Sequence, residues 1–242
     1  IRDREGMNQD KEKEVLSTDN ITKSFGNVRA LSGVSLQIHE GESVAIMGPS
    51  GSGKSTLLHC LSGVLVPESG KVLFRGEDIA AQKDVTRSRL RLSQFGFVFQ
   101  DGQLIPELPA RENVALPLIL TGTLLPKALK RADQLLAQLG LSELKKRRPG
   151  DMSGGQAQRV AIARALIGNP KVVFADEPSG ALDQATGYEM MEILTREVQR
   201  CGAALVLVTH DINVAQWCSR LIEIRDGQIH SDRALAPQSR RA

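Results

Sequence analysis

The chain has 242 residues, of which 41% are hydrophobic, and this composition supports a sizeable buried core in one large domain or two small ones. No apolar run approaches the roughly 20 residues that a membrane-spanning helix needs, and the net charge of +3 is too small to argue for nucleic-acid binding. The three cysteines lack C-x-x-C spacing, which argues against a disulfide framework or a zinc site and favours reduced thiols.

The first segment, residues 1–14, is dominated by charged side chains and is predicted to be a flexible tail without a signal peptide. Short runs of β-forming residues follow at 15–17, 28–31 and 34–38, separated by glycines, and they predict a small antiparallel sheet. Phe25 lies in this region. An aromatic side chain is more often part of a core than a stacking platform for a base, so both interpretations of Phe25 stay open.

A glycine-rich segment at residues 48–56 follows the apolar run 43–47 and precedes a predicted helix. It satisfies the pattern G-x-x-x-x-G-K-[ST], in which backbone N–H groups close around phosphate oxygens. Lys54 can reach the β and γ phosphates, and the Ser55 hydroxyl can bind Mg²⁺. A glycine-rich turn without a ligand would explain neither side chain, so we predict a nucleoside triphosphate site. Its predicted members are Gly48, Pro49, Ser50, Gly51, Ser52, Gly53, Lys54, Ser55 and Thr56.

The middle of the chain changes from β-rich to helical at Gln100. Residues 71–74 and 95–99 are predicted strands, with a helix around 87–92 between them, and Gln100 ends the second strand. A glutamine at a strand end is usually a surface residue, although ligands of doubly wound sheets bind at that edge. Four prolines and a helical pattern of apolar residues then predict a helical subdomain inserted from residue 101 to about residue 149.

A second glycine-containing helix start follows this helical region. Ser153 is predicted to be the N-cap of a helix that includes residues 157–167, and Gly154 and Gly155 beside it make a start that suits a phosphate. No predicted strand precedes this segment, which ends at Gln156, and it contains no lysine. It therefore differs from the first site, and two such helix starts in one chain require an explanation.

Polar residues follow two strands that are predicted to be fully buried, 172–175 and 204–208. Asp176 and Glu177 come directly after the first strand, and two adjacent carboxylates there are costly to bury unless they share a cation or a proton. Beside a triphosphate site, Asp176 fits a Mg²⁺ ligand and Glu177 a base for the attacking water, which we prefer to a helix-capping pair. His210 follows the second strand, and we predict that it contacts the γ-phosphate.

The last part of the chain is predicted to contain a loop, a helix and a hairpin. Residues 178–183 are predicted to be a loop that leads through Asp183 into a helix with apolar residues at helical spacing. Residues 221–230 are predicted to close the fold with a hairpin, and residues 233–242 to form a polar tail.

Six motifs in this order and spacing make the chain, from about residue 15 to residue 229, resemble the nucleotide-binding subunit of ATP-binding cassette transporters. They are residues 48–56, Gln100, 153–156, Asp176 with Glu177, 179–183 and His210. The resemblance implies an α/β fold, a P-loop NTPase core with a mostly parallel sheet, a small N-terminal antiparallel β-subdomain and an inserted α-helical subdomain. It implies one ATPase domain over 15–232, with the α/β core in 15–100 and 157–232 and the helical subdomain in 101–156.

The resemblance also implies ligands and a partner copy. Phe25 matches the aromatic residue that stacks on adenine, so the implied ligands are ATP and Mg²⁺, with Ser55, Gln100 and Asp176 at the metal. Residues of the second helix start would face the γ-phosphate held by another subunit, which implies a head-to-tail homodimer with two ATP molecules. The implied nucleotide contacts outside the P-loop are Phe25, Gln100, Ser153, Gly154, Gly155, Gln156 and Asp183, and the implied catalytic residues are Glu177 and His210.

Within the family, residues 112–118 and 176–183 look like the macrolide-export and lipoprotein-release branch. The implied function is ATP hydrolysis that powers a separately encoded membrane permease, with this subunit bound peripherally at the cytoplasmic face of the cell membrane. An importer ATPase is the alternative. A soluble member that acts on nucleic acid is disfavoured, and no nucleic-acid partner is expected, because no heptad pattern is sustained between the P-loop and residue 153.

Overall fold

Two β-sheets and seven α-helices make up residues 13–236, the part of the chain that the computed structural model describes. The strands are β1 (Glu14–Phe25), β2 (Val28–His39), β3 (Ser43–Met47), β4 (Ser69–Phe74), β5 (Glu77–Asp78), β6 (Phe95–Phe99), β7 (Val172–Asp176), β8 (Ala204–Val208), β9 (Arg220–Arg225) and β10 (Gln228–Ala234). The helices are α1 (Lys54–Leu61), α2 (Asp84–Gln94), α3 (Ala110–Leu120), α4 (Leu125–Gln138), α5 (Gly154–Leu166), α6 (Gln184–Arg200) and α7 (Ile212–Ala215).

The larger sheet carries the strands that lead into the predicted motifs. Its order is β10-β9-β3-β8-β7-β6, and every neighbouring pair is parallel except the hairpin of β9 and β10. Alternate residues of β8 enter two separate apolar cores, with Leu205 and Leu207 in one and Val206 and Val208 in the other. Burial on both faces explains why this strand is a continuous apolar run. The predicted, mostly parallel core sheet is confirmed.

The smaller sheet is antiparallel, in the order β2-β1-β4-β5, as the sequence predicts. The prediction of three short strands between residues 15 and 38 is wrong, because the structure has two strands of 12 residues each. Gly33 does not end a strand. It lies inside β2 with a φ of 81°, at the point where the pairing steps from Ile21–Val34 to Thr22–Ser32. It is therefore the extra residue of a β-bulge, which glycine accommodates without strain.

The strands extend further than predicted at both ends of the fold. Glu14, placed in the predicted tail, already pairs with His39 in β1. At the other end, Arg233 and Ala234 belong to β10 rather than to the predicted polar tail. The remainder of the first tail, residues 1–12, and residues 237–242 lie outside the described residues.

The predicted helical region is confirmed between β6 and β7, where the described chain contains helices and turns and no strand. Helix α4 buries one face, formed by Ala128, Ala132, Leu135 and Leu136, in the core that α3 and α5 share. The division of the chain into an α/β core and a separate helical subdomain stays a prediction. No helix within residues 13–236 is long and apolar enough to cross a bilayer.

Candidate functional site

The carboxyl ends of three neighbouring parallel strands, β3, β8 and β7, surround a cleft of about 330 Å³. The pairing register places Ile46, Val208 and Asp176 side by side across these strands, so the residues that follow each strand meet at one edge of the sheet. The cleft is lined by Ser50, Gly51, Gly53, Lys54, Ser55, Asp176, Glu177, Val208 and His210. The structure thus brings the predicted P-loop, acidic and histidine motifs together.

Glycines give the P-loop, residues 48–56, its shape. Gly51 and Gly53 have φ angles of 77° and 101°, which residues with a Cβ rarely adopt. A Cβ on Gly53 would also collide with the carbonyl oxygen of Ala30, and one on Gly48 with a carbonyl oxygen of β9. Gly53 is the N-cap of α1 and offers no side-chain cap, so the first N–H groups of this helix suit an anion in the cleft.

The Lys54 side chain folds back over the P-loop. Its Nζ atom donates hydrogen bonds to the carbonyl oxygens of Gly48 and Pro49, at 2.9 and 2.8 Å. The first turn of α1 contains no acidic residue, so the ammonium group and the positive end of the helix reinforce each other. A phosphate group has the charge and the acceptor oxygens that this arrangement suits.

Burial raises the pKa of Asp176, although His59 and a hydrogen bond from Ser55 act in the opposite direction. The charge of the adjacent Glu177 raises this pKa further. A carboxyl group that is costly to ionise where it lies would be stabilised as a carboxylate by a bound cation. Ser55 and Asp176 therefore fit Mg²⁺, which usually takes one or two protein ligands together with phosphates and water. Within residues 13–236, no group of three or more His, Cys, Asp or Glu side chains could hold a metal ion.

Glu177 is held by the residues that follow β8. Its Oε1 atom lies 2.8 Å from Nδ1 of His210, and its Oε2 atom accepts a hydrogen bond of 3.4 Å from the hydroxyl of Thr209. Its backbone has a φ of 46°, in the left-handed region that a side chain of this kind rarely adopts. Such strain at a polar residue in a cleft supports a functional role.

Thr209 is the member of this group that the sequence analysis missed. It is 1% exposed, and its hydroxyl also accepts a hydrogen bond from the backbone N–H of Asp211. A threonine between a buried strand and a histidine carries no recognisable pattern, because its contact with Glu177 is made across the sheet.

Gln100 and Phe25 do not line the cleft. Gln100 is exposed at the end of β6, and its amide lies beside Gly180, in the loop that follows Glu177. Phe25 ends β1 and is 50% exposed, with the Lys23 ammonium 5.7 Å from its ring centroid. Phe25 pairs with Val28 at the turn between β1 and β2, and Ala30 of β2 lies against Gly53 of the P-loop, so Phe25 stays a candidate for stacking on a base.

The capping segment, residues 153–156, lies outside the cleft. Ser153 is the N-cap of α5 and forms a capping box, in which its hydroxyl accepts from the Gln156 N–H while its own N–H donates to the Gln156 amide. Gly154 and Gly155 lie against Leu182 and Thr186. Ser153 and Gly154 are exposed, so the structure confirms the predicted N-cap but does not bring this segment to the P-loop of the same chain.

Asp183 has a structural task of its own. Its carboxylate caps α6 by accepting hydrogen bonds from the N–H groups of Ala185 and Thr186, each at 3.1 Å. Hydrogen bonding, chiefly from Thr186, lowers the pKa of this carboxyl group. Its role as a nucleotide contact stays a prediction, as do the roles of Phe25 and of the capping segment.

Comparisons with known proteins agree on one family. Residues 31–180 match the profile of the family described as ABC transporter. The chain is 49% identical over 202 residues to the macrolide export ATP-binding/permease protein MacB of Wolinella succinogenes, covering 84% of this chain and 31% of that protein. It is 47% identical over 225 residues to the pyoverdine export ATP-binding/permease protein PvdT of Pseudomonas fluorescens, covering 91% of this chain and 34% of that protein. The chain thus spans about a third of the length of these relatives.

Solved structures resemble the fold over most of its length. A dimeric, post-hydrolysis structure of the ATP-binding cassette MJ0796 bound to ADP and Pi superposes with a TM-score of 0.82 at 40% identity. The match covers 91% of this chain and 99% of that chain. The cbiO1 protein of Clostridium perfringens, described as part of the ABC transporter complex cbiONQ, gives a TM-score of 0.82 at 31% identity, covering 91% of this chain and 88% of that chain.

Proposed function

Because the chain belongs to the ABC transporter family, we propose that it binds ATP in the cleft and hydrolyses it to drive transport through a membrane permease. One observation carries the proposal. The cleft combines the P-loop and Lys54 with a partly buried carboxyl group at Asp176 and a hydrogen-bonded pair of Glu177 and His210. A structural turn needs none of these groups, whereas phosphoryl transfer to water uses a cation, a metal ligand and a base. The MJ0796 structure with ADP and Pi supports hydrolysis as the reaction.

Each side chain in the cleft has a separate task in this reaction. Lys54 neutralises charge on the phosphates, and Glu177 orients the attacking water and accepts its proton. His210 keeps the carboxylate of Glu177 in place and contacts the γ-phosphate. Ser55 and Asp176, with Gln100, would hold Mg²⁺, which supplies positive charge to the phosphate oxygens.

The active form is a head-to-tail dimer. The P-loop lines the cleft, but the capping segment of the same chain does not, so a second copy supplies the residues that cover the γ-phosphate. The dimeric structure of MJ0796 supports this assembly.

The membrane partner is a permease of an exporter. The names of MacB and PvdT combine an ATP-binding part with a permease and refer to export, which favours export over import. An open apolar groove of about 460 Å³ runs along the edge strand β6, with Phe95, Phe97 and Phe99 on one side and Pro117 of α3 on the other. Phe99, which lines this groove, directly precedes Gln100 in the chain, so a permease segment bound there would sense the state of the cleft. The protein then acts at the cytoplasmic face of the membrane, where ATP is available.

The replacement Glu177→Gln tests the proposal. It keeps the shape of the side chain and removes the base, so we expect turnover to fall by about 10²–10⁴-fold. ATP affinity should stay at the wild-type level, because the P-loop and Lys54 are unchanged. Phosphate release and binding of a fluorescent ATP analogue measure the two quantities. The matched control is Glu192→Gln on the exposed face of α6, which should change neither. Near-normal turnover of Glu177→Gln would remove Glu177 from its role.

A further inference from the structure

A buried glutamine on α5 connects the helix of the capping segment to two loops beside the cleft. Gln158 is 2% exposed, and its Nε2 atom lies 2.7 Å from the carbonyl oxygen of Phe99 and 2.6 Å from that of Pro178. The carbonyl oxygen of Gln100 lies further away, at 3.4 Å. Carbonyl oxygens only accept hydrogen bonds, so the NH₂ group must face them. The amide oxygen of Gln158 lies against Gly102.

The two carbonyl groups that accept the short hydrogen bonds of Gln158 lie next to residues with proposed roles in catalysis. Phe99 is the last residue of β6 and precedes Gln100, and Pro178 directly follows Glu177. The two N–H donors of one amide group match the two close carbonyl oxygens. Water has little access to so buried a side chain, so both oxygens would be left without this donor if the amide were removed.

Helix α5 also binds the loop 99–103 through a second side chain. Arg164 on α5 donates from Nη1 to the carbonyl oxygen of Gln103 and from Nη2 to that of Gly102, at 2.6 and 2.7 Å. Helix α5 and the loop 99–103 are therefore joined as one unit, and Gln158 extends this unit to Pro178. In a closely packed interior, a shift of the helix is passed on through such contacts.

We propose that Gln158 is a positioning residue that couples the two half-sites of one chain, an inference that rests on the proposed function. The N-terminus of α5 is the capping segment, which meets the nucleotide of the second copy. A movement of α5 on that contact passes through the amide of Gln158 to the loops that carry Gln100 and Glu177. The cleft of one chain therefore becomes active when the same chain also covers the nucleotide of its partner. Hydrolysis at the two sites is then cooperative.

The replacement Gln158→Met tests the coupling in the 242-residue chain. Methionine is unbranched and of similar length, but it has no donor. We expect kcat to fall by about 10- to 100-fold, as it does when a catalytic group is misplaced by roughly 1 Å. The KM for ATP should stay unchanged, and the Hill coefficient for ATP should fall toward one. Wild-type kcat and a wild-type Hill coefficient in this variant would overturn the proposal.

The matched control is Val160→Ala, which removes apolar packing from the same helix at a fully buried position and leaves the donors in place. Its melting temperature should fall at least as far as that of Gln158→Met, while its kcat and Hill coefficient stay at the wild-type values. Equal losses of kcat and cooperativity in both variants would reduce Gln158 to a structural role. If Gln158→Met does not fold, the shorter donor in Gln158→Asn should give an intermediate loss of kcat, and wild-type kcat there would contradict the coupling.

Amide hydrogen exchange of the nucleotide-free chain tests the link independently of turnover. Residues 99–103 and 177–180 should exchange faster in Gln158→Met than in the wild type, and Val160→Ala should not show this change. Equal exchange of these segments in both variants would overturn the link. A wild-type chain that does not hydrolyse ATP would refute the proposed function instead, and the exchange result would still decide whether Gln158 joins the two loops.

Discussion

The P-loop and the capping segment share one design, a glycine-containing turn at a helix N-terminus, and the structure surrounds them differently. The P-loop is supported from behind by carbonyl oxygens of β2 and β9, and it faces Asp176, Glu177 and His210 across the cleft. The capping segment is largely exposed and lies against the start of α6. A helix N-terminus therefore becomes a catalytic phosphate site only where a cation and carboxylates converge on it.

The same difference explains why we propose that the capping segment acts on a second copy. Its capping hydrogen bonds join Ser153 to Gln156, and its glycines lie against Leu182 and Thr186. These contacts fix its shape without supplying a lysine or a metal ligand. It can cover a nucleotide that another chain holds. Four replacements test this contrast, in order of decreasing expected effect.

The replacement Lys54→Met removes the ammonium group of the P-loop. It removes the charge aimed at the phosphates, and turnover should fall by about 10²–10³-fold, the loss usual for one preorganised donor. ATP affinity should fall as well, because Lys54 contacts the bound nucleotide in the ground state. Phosphate release and isothermal titration measure the two losses. The control Lys127→Met, at an exposed position on α4, should change neither, and an active Lys54→Met would refute the role of this lysine.

The replacement Gly154→Asp breaks the capping half and leaves the P-loop intact. A carboxylate in the first turn suits α5, so the fold should persist, but it would face the γ-phosphate of the second copy. We expect roughly 100-fold slower turnover, since like charges across an interface cost several kcal/mol. ATP binding by the single chain should stay normal.

The control for this replacement is Gly150→Asp, which adds the same charge four residues earlier, where a Cβ meets nothing within 4 Å. It should form the ATP-dependent dimer in size-exclusion chromatography, whereas Gly154→Asp should not. A dimeric, active Gly154→Asp would show that this segment does not cover the nucleotide.

The replacement Phe25→Ala removes the aromatic ring that we propose to stack on the base of ATP. Base stacking on an aromatic ring contributes about 1–3 kcal/mol, so ATP affinity should fall by roughly 5- to 150-fold. Phe25→Tyr keeps the ring and should bind ATP as the wild type does. Equal affinities of Phe25→Ala and the wild type in isothermal titration would return Phe25 to a surface role.

The smallest expected change concerns stability rather than turnover: without metal, the replacement Asp176→Asn should raise the melting temperature by a few degrees at neutral pH. Burial raises the pKa of Asp176 in the folded chain. Its destabilising effect is therefore absent below the unfolded pKa, grows as the pH rises from the unfolded to the folded pKa, and is complete above the folded pKa. The gain should therefore vanish in acid. The melting temperatures of the variant and the wild type are compared across a range of pH in a chelator. A lower melting temperature of the variant at neutral pH would contradict a destabilising effect of the buried Asp176 carboxylate.

The sequence predicts the elements that are marked by a local motif or by a continuous run of apolar residues. The P-loop follows from its spacing, and the strands β7 and β8 from continuous apolar runs that burial on both faces requires. The polar residues after these strands could be predicted to meet, because parallel strands end at one edge of a sheet.

Contacts made across the fold escaped prediction. Gly33 looks like a strand break, and only the pairing of β1 with β2 makes it a bulge. Thr209 and Gln158 are common residue types without a motif, and their roles depend on loops that lie 32 and 20 to 59 positions away in the chain. The single turn of α7 is too short for a periodic pattern.

If each nucleotide site is completed by two copies of the chain, ATPase activity must depend on protein concentration. The wild-type chain is diluted at saturating Mg²⁺ and ATP, and the rate per chain is measured together with the fraction of dimer. We predict that the rate per chain falls with dilution in step with the loss of dimer. A rate per chain that stays constant when the protein is entirely monomeric would contradict the claim.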